Sequence, residues 1–153
     1  MSGNFYGREQ FEKYTGESMV LPGMAADYPG IKTPLDLYNE LLKIWCADTC
    51  APRMRDKWSP ENPTLGQCSI TAFLVQDIFG GEVYGILRDG GNYHCYNAVG
   101  DYKFDLTSEQ FGDEVLDYGT NPVQTREVHF AKQEKKERYE FLKKELYLYC
   151  KKA

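Results

Sequence analysis

The sequence predicts an α+β domain in which a helix headed by a cysteine packs on a small antiparallel sheet. Three observations carry this. After Gly66-Gln67-Cys68, the residues Ile70, Phe73, Leu74 and Ile78 recur at helical spacing until Gly80-Gly81 ends the pattern. Three strand-like runs follow, Glu82 to Leu87, Tyr93 to Val99 and Tyr102 to Leu106, parted by the turn signals Asp89-Gly90-Gly91 and Gly100-Asp101. Last comes a charged stretch from Ala131 to Lys152 whose Tyr139, Leu142, Leu146 and Tyr149 trace one helical stripe.

At 153 residues, 42% of them apolar, the chain is expected to be a single domain, 1–153, with one core. The segment Gly3 to Ile31 carries Pro22-Gly23 and Pro29-Gly30 and reads as an irregular arm that wraps the domain. The parts are then an arm over 1–32, a core over 33–130 and a C-terminal helix over 131–153. Thr33-Pro34 supplies a cap and a first-turn proline for a helix from Pro34 to about Cys46, with Leu35, Tyr38, Leu41, Leu42 and Trp45 as its apolar stripe. Pro52, Pro60 and Pro63 oppose regular structure between Ala51 and Gly66, so that stretch is read as a loop delivering Cys68 to its helix start. Tyrosines, 12 of them, are spread along the chain and read as amphipathic core rings.

Charge excludes some functions. With 18 basic and 23 acidic side chains there is no positive field to gather phosphates or anionic lipids, so neither nucleic acid nor a membrane surface is an expected partner. Arg8, Glu9, Glu12 and Lys13 interrupt any signal-like apolar run near the start, and no segment reaches the length of a membrane span. A cytoplasmic location is the expectation. The cysteines, 5 in number, lack the dense spacing of a secreted scaffold and are expected to be mostly reduced. Cys46 and Cys50 have no second Cys/His pair at zinc-ligand spacing, so they read as two small buried residues one helical turn apart, with a regulatory dithiol as the minor alternative.

The chemistry lies in Cys68, His94 and Asp105. A helix start lowers a thiol's pKa through its positive dipole end and its unpaired amides, and the Cys68 amide lies where an oxyanion would form. His94 shares a strand face with Tyr96 and Ala98, and Asp105 on the next strand is placed to orient its imidazole. Register tests this: a two-residue Gly100-Asp101 turn of the primed type, with glycine first, sets Val99 opposite Tyr102 and Tyr96 opposite Asp105, one diagonal from His94. A slip of one residue would send Asp105 to the other face. Taken singly, a helix-start cysteine is usually core, a strand histidine structural and a strand-end aspartate a turn cap. The ordered set is what points to a thiol triad. Gln67, or Trp58 through its indole N–H, could assist the Cys68 amide in positioning the oxyanion or substrate. Cys95 points to the face opposite His94 and is expected to be buried rather than a resolving thiol, Cys150 to be incidental, and His129, in a plausible edge strand Glu127 to Phe130, to be structural.

Helix, strand and strand bearing Cys, His and Asp in that order resemble the papain-like and transglutaminase-like cysteine enzymes. Gly66-Gln67-Cys68 resembles a transglutaminase nucleophile segment, while Ser69 stands where those enzymes carry tryptophan and the interval from Cys68 to His94 is short. The stretches Trp58-Ser59-Pro60-Glu61-Asn62-Pro63, Gly66-Gln67-Cys68, Thr71-Ala72, Val75-Gln76-Asp77, Phe79-Gly80-Gly81, His94, Tyr96-Asn97, Asp105-Leu106-Thr107 and Gln110-Phe111 carry a closer resemblance. Together they resemble the YunG-like family of uncharacterised bacterial proteins. The resemblance implies a bacterial origin and a thiol-protease-like fold. The expected function is a cysteine hydrolase or acyl transferase acting on an amide, isopeptide or thioester of a peptide, protein or small acyl substrate, without metal or organic cofactor. The alternative is a non-catalytic module of the same fold that binds a peptide or protein in the cleft beside Cys68.

Overall fold

The computed structural model describes residues 3–5 and 27–152. Most of the arm expected over 1–32 lies outside the described residues. Its described portion departs from the irregular expectation at one place: Gly3–Phe5 forms strand β1, paired in parallel with the strand Tyr102–Phe104.

Helix α1 covers Pro34–Leu41 and starts as read, with the Thr33 hydroxyl accepting from the Asp36 amide and the Asp36 carboxylate accepting from the Thr33 amide. It ends earlier than Cys46. Past Leu41 the amides of Lys43 and Ile44 bond three residues back, to Glu40 and Leu41, and the chain leaves the α-helix in a tightened turn; beyond it the Arg55 guanidinium collects the carbonyls of Ala47, Asp48 and Cys50 around a 3-10 turn over Ala47–Thr49. Arg55 itself belongs to a second 3-10 segment, Pro52–Lys57, within the stretch read as loop.

Helix α2 runs from Cys68 to Phe79 and ends at Gly80, and strands β2 (Glu82–Leu87), β3 (Tyr93–Val99) and β4 (Tyr102–Phe104) follow. β4 stops short of the expected Leu106. The sheet order is β1-β4-β3-β2, with β2, β3 and β4 antiparallel. Val99 pairs with Tyr102, so the register is the one the turn predicted. Gly100 takes φ +58° and no non-glycine residue has positive φ among the described residues, which fits glycine at the first centre of a II′ turn.

The remainder covers the sheet's exposed margin and the back of α2. Residues 122–124 pair with the outer edge of β2 through Gly85 N to Pro122 O (3.0 Å) and Gln124 N to Val83 O (2.8 Å), which blunts that edge. The expected edge strand at 127–130 is instead a short helix α3, Arg126–His129, capped by Thr125. Arg126 anchors it on α2 by donating to the Phe73 carbonyl and to Asp77 and Gln76. Helix α4, Gln133–Lys152, buries Tyr139, Leu142 and Leu146 as expected, but its last core contact is Cys150 rather than Tyr149, which is exposed. The core lies between the sheet, α2 and α4, with Phe73, Leu74, Ile78, Val83, Phe104 and Leu142 fully buried. No helix among the described residues is long and apolar enough to cross a membrane.

Candidate thiol site

Cys68 is the first residue of α2, and Gln67 before it makes no side-chain cap. The first amides of a helix have no intrahelical acceptor, so this start offers N–H groups and positive dipole to the sulfur. The side chain is half-buried, and as a thiol it donates to the Tyr93 carbonyl at 3.8 Å. The helix start therefore abuts the beginning of β3, where His94 and Cys95 follow.

His94 and Asp105 are 3% and 1% exposed, and Nε2 of the ring donates to Asp105 Oδ2 at 2.5 Å. That bond leaves Nδ1 as the nitrogen available to Cys68, and Nδ1 is buried without a hydrogen-bond partner. No Sγ–Nδ1 hydrogen bond closes, yet the two groups act on each other's ionisation. For Cys68 the largest influence is hydrogen bonding from the Cys95 thiol, opposed by burial and aided by the His94 charge; the net result holds the thiol well below its ordinary range. Burial pushes His94 down, but the Asp105 carboxylate and the Cys68 sulfur outweigh it and raise the imidazole to about 10. The pair therefore favours thiolate and imidazolium, and in that state Cys68 gives up its donation to Tyr93 and accepts from its neighbours.

Asp105 has a full set of donors. Tyr118 OH donates to Oδ2 at 2.7 Å, and the Thr107 amide and hydroxyl reach Oδ1 at 3.1 and 3.3 Å. Tyr118 sits in a loop fastened by Lys103, which donates to its carbonyl, and by Asn121, which donates to the Tyr96 hydroxyl. Phe111 lies edge-on to the His94 ring at 4.6 Å, the Arg88 guanidinium covers Phe111, and Arg88 pairs bidentately with Glu114. This cover keeps water from the imidazole and its carboxylate.

Sequence reasoning missed Tyr118, Thr107 and Phe111 as parts of the site. Thr107 had a local signal, since an aspartate two residues before a backbone N–H commonly accepts from it. Tyr118 had none, because a loop of no periodicity delivers it. Gln67 and Trp58, expected at the oxyanion, are spent elsewhere: Gln67 Nε2 donates to the Cys46 carbonyl at 3.2 Å and Trp58 Nε1 to the Pro63 carbonyl at 3.0 Å. Both thus brace the loop that presents Cys68. Cys50 is buried against that same loop, half of the expectation for the Cys46 and Cys50 pair, whereas Cys46 is partly exposed.

Behind the thiol lies a second polar chain. Lys135 Nζ donates to His129 Nδ1 at 2.9 Å, and His129 Nε2 donates to Gln124 Oε1 at 2.8 Å. Burial, with the Lys135 charge, lowers His129 to about 4, so it stays neutral. Burial also lowers Lys135, while the Cys68 and Cys95 sulfurs favour its charge. Among the described residues no group of His, Cys, Asp and Glu is arranged to hold a metal ion.

Comparison with known proteins places this site within a shared sequence pattern. Residues 33–151 match the family described as YunG protein, a range that includes Cys68, His94 and Asp105. A curated relative from Bacillus subtilis (strain 168), described as "Uncharacterized protein YunG", is 44% identical over 55 residues, which is 36% of this chain and 47% of the relative. The matched stretch thus spans about half of that relative's length. No solved structure matches.

Proposed function

The chain belongs to the YunG protein family, and from that premise and the geometry of its thiol we propose that it is a cysteine hydrolase or acyl transferase with a Cys68-His94-Asp105 triad. One observation carries the reading: Asp105 holds His94 by Nε2 while the unpartnered Nδ1 is left for a thiol at a helix start. A buried nitrogen without a partner costs roughly 1–3 kcal/mol, a cost relieved once Nδ1–H donates to the Cys68 thiolate. The order of Cys, His and Asp on helix, strand and strand end also supports a papain-like or transglutaminase-like arrangement.

In this mechanism the Cys68 thiolate attacks an amide, isopeptide or thioester carbonyl carbon and forms a C–S bond. The oxygen takes the negative charge and is stabilised by the Cys68 amide at the uncapped start of α2. Imidazolium Nδ1–H then protonates the leaving amine or thiol as its bond to carbon breaks. A water deprotonated by Nδ1 attacks the thioester, or an acceptor amine does so, and Cys68 leaves as thiolate. Asp105 remains ionised and fixes the tautomer throughout, as the carboxylate does in other triads.

The test is incubation of the full chain with a panel of activated esters, thioesters and peptide vinyl sulfones, with intact mass and peptide mapping as readout. Acylation or probe capture at Cys68, abolished in Cys68→Ala and strongly slowed in His94→Ala, supports the enzyme. If no member of the panel modifies Cys68 faster than Cys46, the enzyme reading fails and the non-catalytic, peptide-binding reading replaces it.

A further inference from the structure

Two contacts set α2 against β3. Asn97 Nδ2 donates to the Ala72 carbonyl at 2.9 Å, and Cys68 Sγ donates to the Tyr93 carbonyl at 3.8 Å. Sequence numbers rise together along the two elements, so helix and strand run in the same direction. One turn back from Ala72 stands Cys68, a displacement of about 6 Å along the helix. Two residues back from Asn97 stands Cys95, about 6.6 Å along the strand and on the same face as Asn97. The two displacements match, so Cys95 is opposite Cys68. Cys95 shares the Asn97 face on which α2 packs, while Cys68, at the helix start beside the beginning of β3, is within reach of both the Cys95 thiol and the His94 ring. Cys95 is 2% exposed, whereas Cys68 is half-buried and reachable from solvent.

We propose that Cys68 and Cys95 form a two-thiol oxidation site, in which a peroxide oxidises Cys68 and Cys95 resolves it as an intramolecular disulfide. In the first step the Cys68 thiolate attacks one peroxide oxygen, the O–O bond breaks, and sulfenic acid and hydroxide result. In the second, Cys95 sulfur attacks the Cys68 sulfur, the S–O bond breaks, and the departing hydroxide takes the Cys95 proton to leave as water. Two thiols of a reductant return both cysteines to the reduced state by exchange. The disulfide removes the thiolate needed for acyl transfer and blocks further oxidation of Cys68 to sulfinic acid. Only that loss of acyl transfer rests on the function proposed above; the sulfur chemistry stands apart from it.

The reduced full chain is treated with a small excess of hydrogen peroxide, its free thiols are blocked with N-ethylmaleimide, and peptides are mapped without reduction. Wild type and a Cys46→Ser/Cys50→Ser/Cys150→Ser variant are expected to give a Cys68–Cys95 linkage. Cys68 labelling falls at least about tenfold and returns on adding dithiothreitol. Cys95→Ser keeps a small polar group in the buried position and is expected to lose the linkage and carry Cys68 on to sulfinic acid. The proposal is overturned if wild-type Cys68 resists peroxide, pairs with Cys46, Cys50 or Cys150, or over-oxidises as fast as it does in Cys95→Ser. A protein that forms this disulfide yet takes no acyl group contradicts the hydrolase reading alone; the converse contradicts the oxidation site alone.

Discussion

The Tyr118 hydroxyl donates to Oδ2 of Asp105 at 2.7 Å, the same oxygen that receives the His94 ring. Asp105 is thereby held from a loop and from β3 at once, and its position fixes the imidazole. Tyr118→Phe removes one hydrogen bond to a charged group and is expected to cost about 1.5–3 kcal/mol of stability. Urea denaturation reads this directly. An unchanged midpoint would mean that Tyr118 packs without anchoring the carboxylate.

The two histidines give stability opposite slopes with pH. His129 has its folded pKa lowered, by burial first, to about 4 from 6.5; its contribution is full above 6.5 and lost as pH falls through about 4. Against the burial that lowers it, His94 is raised by Asp105 and Cys68 to about 10; its contribution is full below 6.5 and lost as pH rises through about 10. Urea midpoints measured across pH should therefore lose their acid-side fall in His129→Gln. Asp105→Asn, by contrast, should flatten the alkaline side. Unaltered slopes in both variants would contradict the assigned charge states.

Gly66 adopts φ +70°, and a Cβ there would lie 2.5 Å from Cys50 Sγ and 2.9 Å from the Ala51 amide nitrogen. Gly66→Ala is expected to lose about 1–3 kcal/mol from backbone conformation alone. The loop must shift to relieve the contact, and that loop positions Gln67 and Cys68. The variant should therefore lose thiol reactivity at Cys68 beyond what its lower stability explains, read by alkylation under conditions where it remains folded.

Leu142 is fully buried where α4 closes the core. Truncating it leaves a cavity, and Leu142→Ala is expected to cost about 2–5 kcal/mol. Calorimetry or urea titration checks this. A loss under about 1 kcal/mol would show that α4 does not close the core as described.

Elements with a local, periodic cause were legible in the sequence. β2 and β3 begin and end where turn signals place them, and glycine ahead of aspartate at 100–101 fixed the register that brings Asp105 toward His94. α2 was legible from Ile70, Phe73, Leu74 and Ile78 alone. Features set by distant partners were not. Arg55 gathers carbonyls from 47 to 50 around a 3-10 turn in a stretch partly read as helix, and Arg126 draws 126–129 into a helix on α2 rather than a strand. Tyr118 reaches Asp105 from a loop without periodicity, and strand alternation gives the face of Cys95 but not the helix that packs on it. In each case one long polar side chain or one packing contact, invisible at short range, decided the outcome.

The thiolate on Cys68 and its support by His94 are read together by the rate of iodoacetamide alkylation at Cys68 as a function of pH. Wild type is expected to reach its plateau well below the roughly 8.5 of a free cysteine, with His94→Ala moving the curve toward that value. A wild-type curve that rises only near the free-cysteine range, or one that His94→Ala leaves in place, would contradict the thiolate–imidazolium pair.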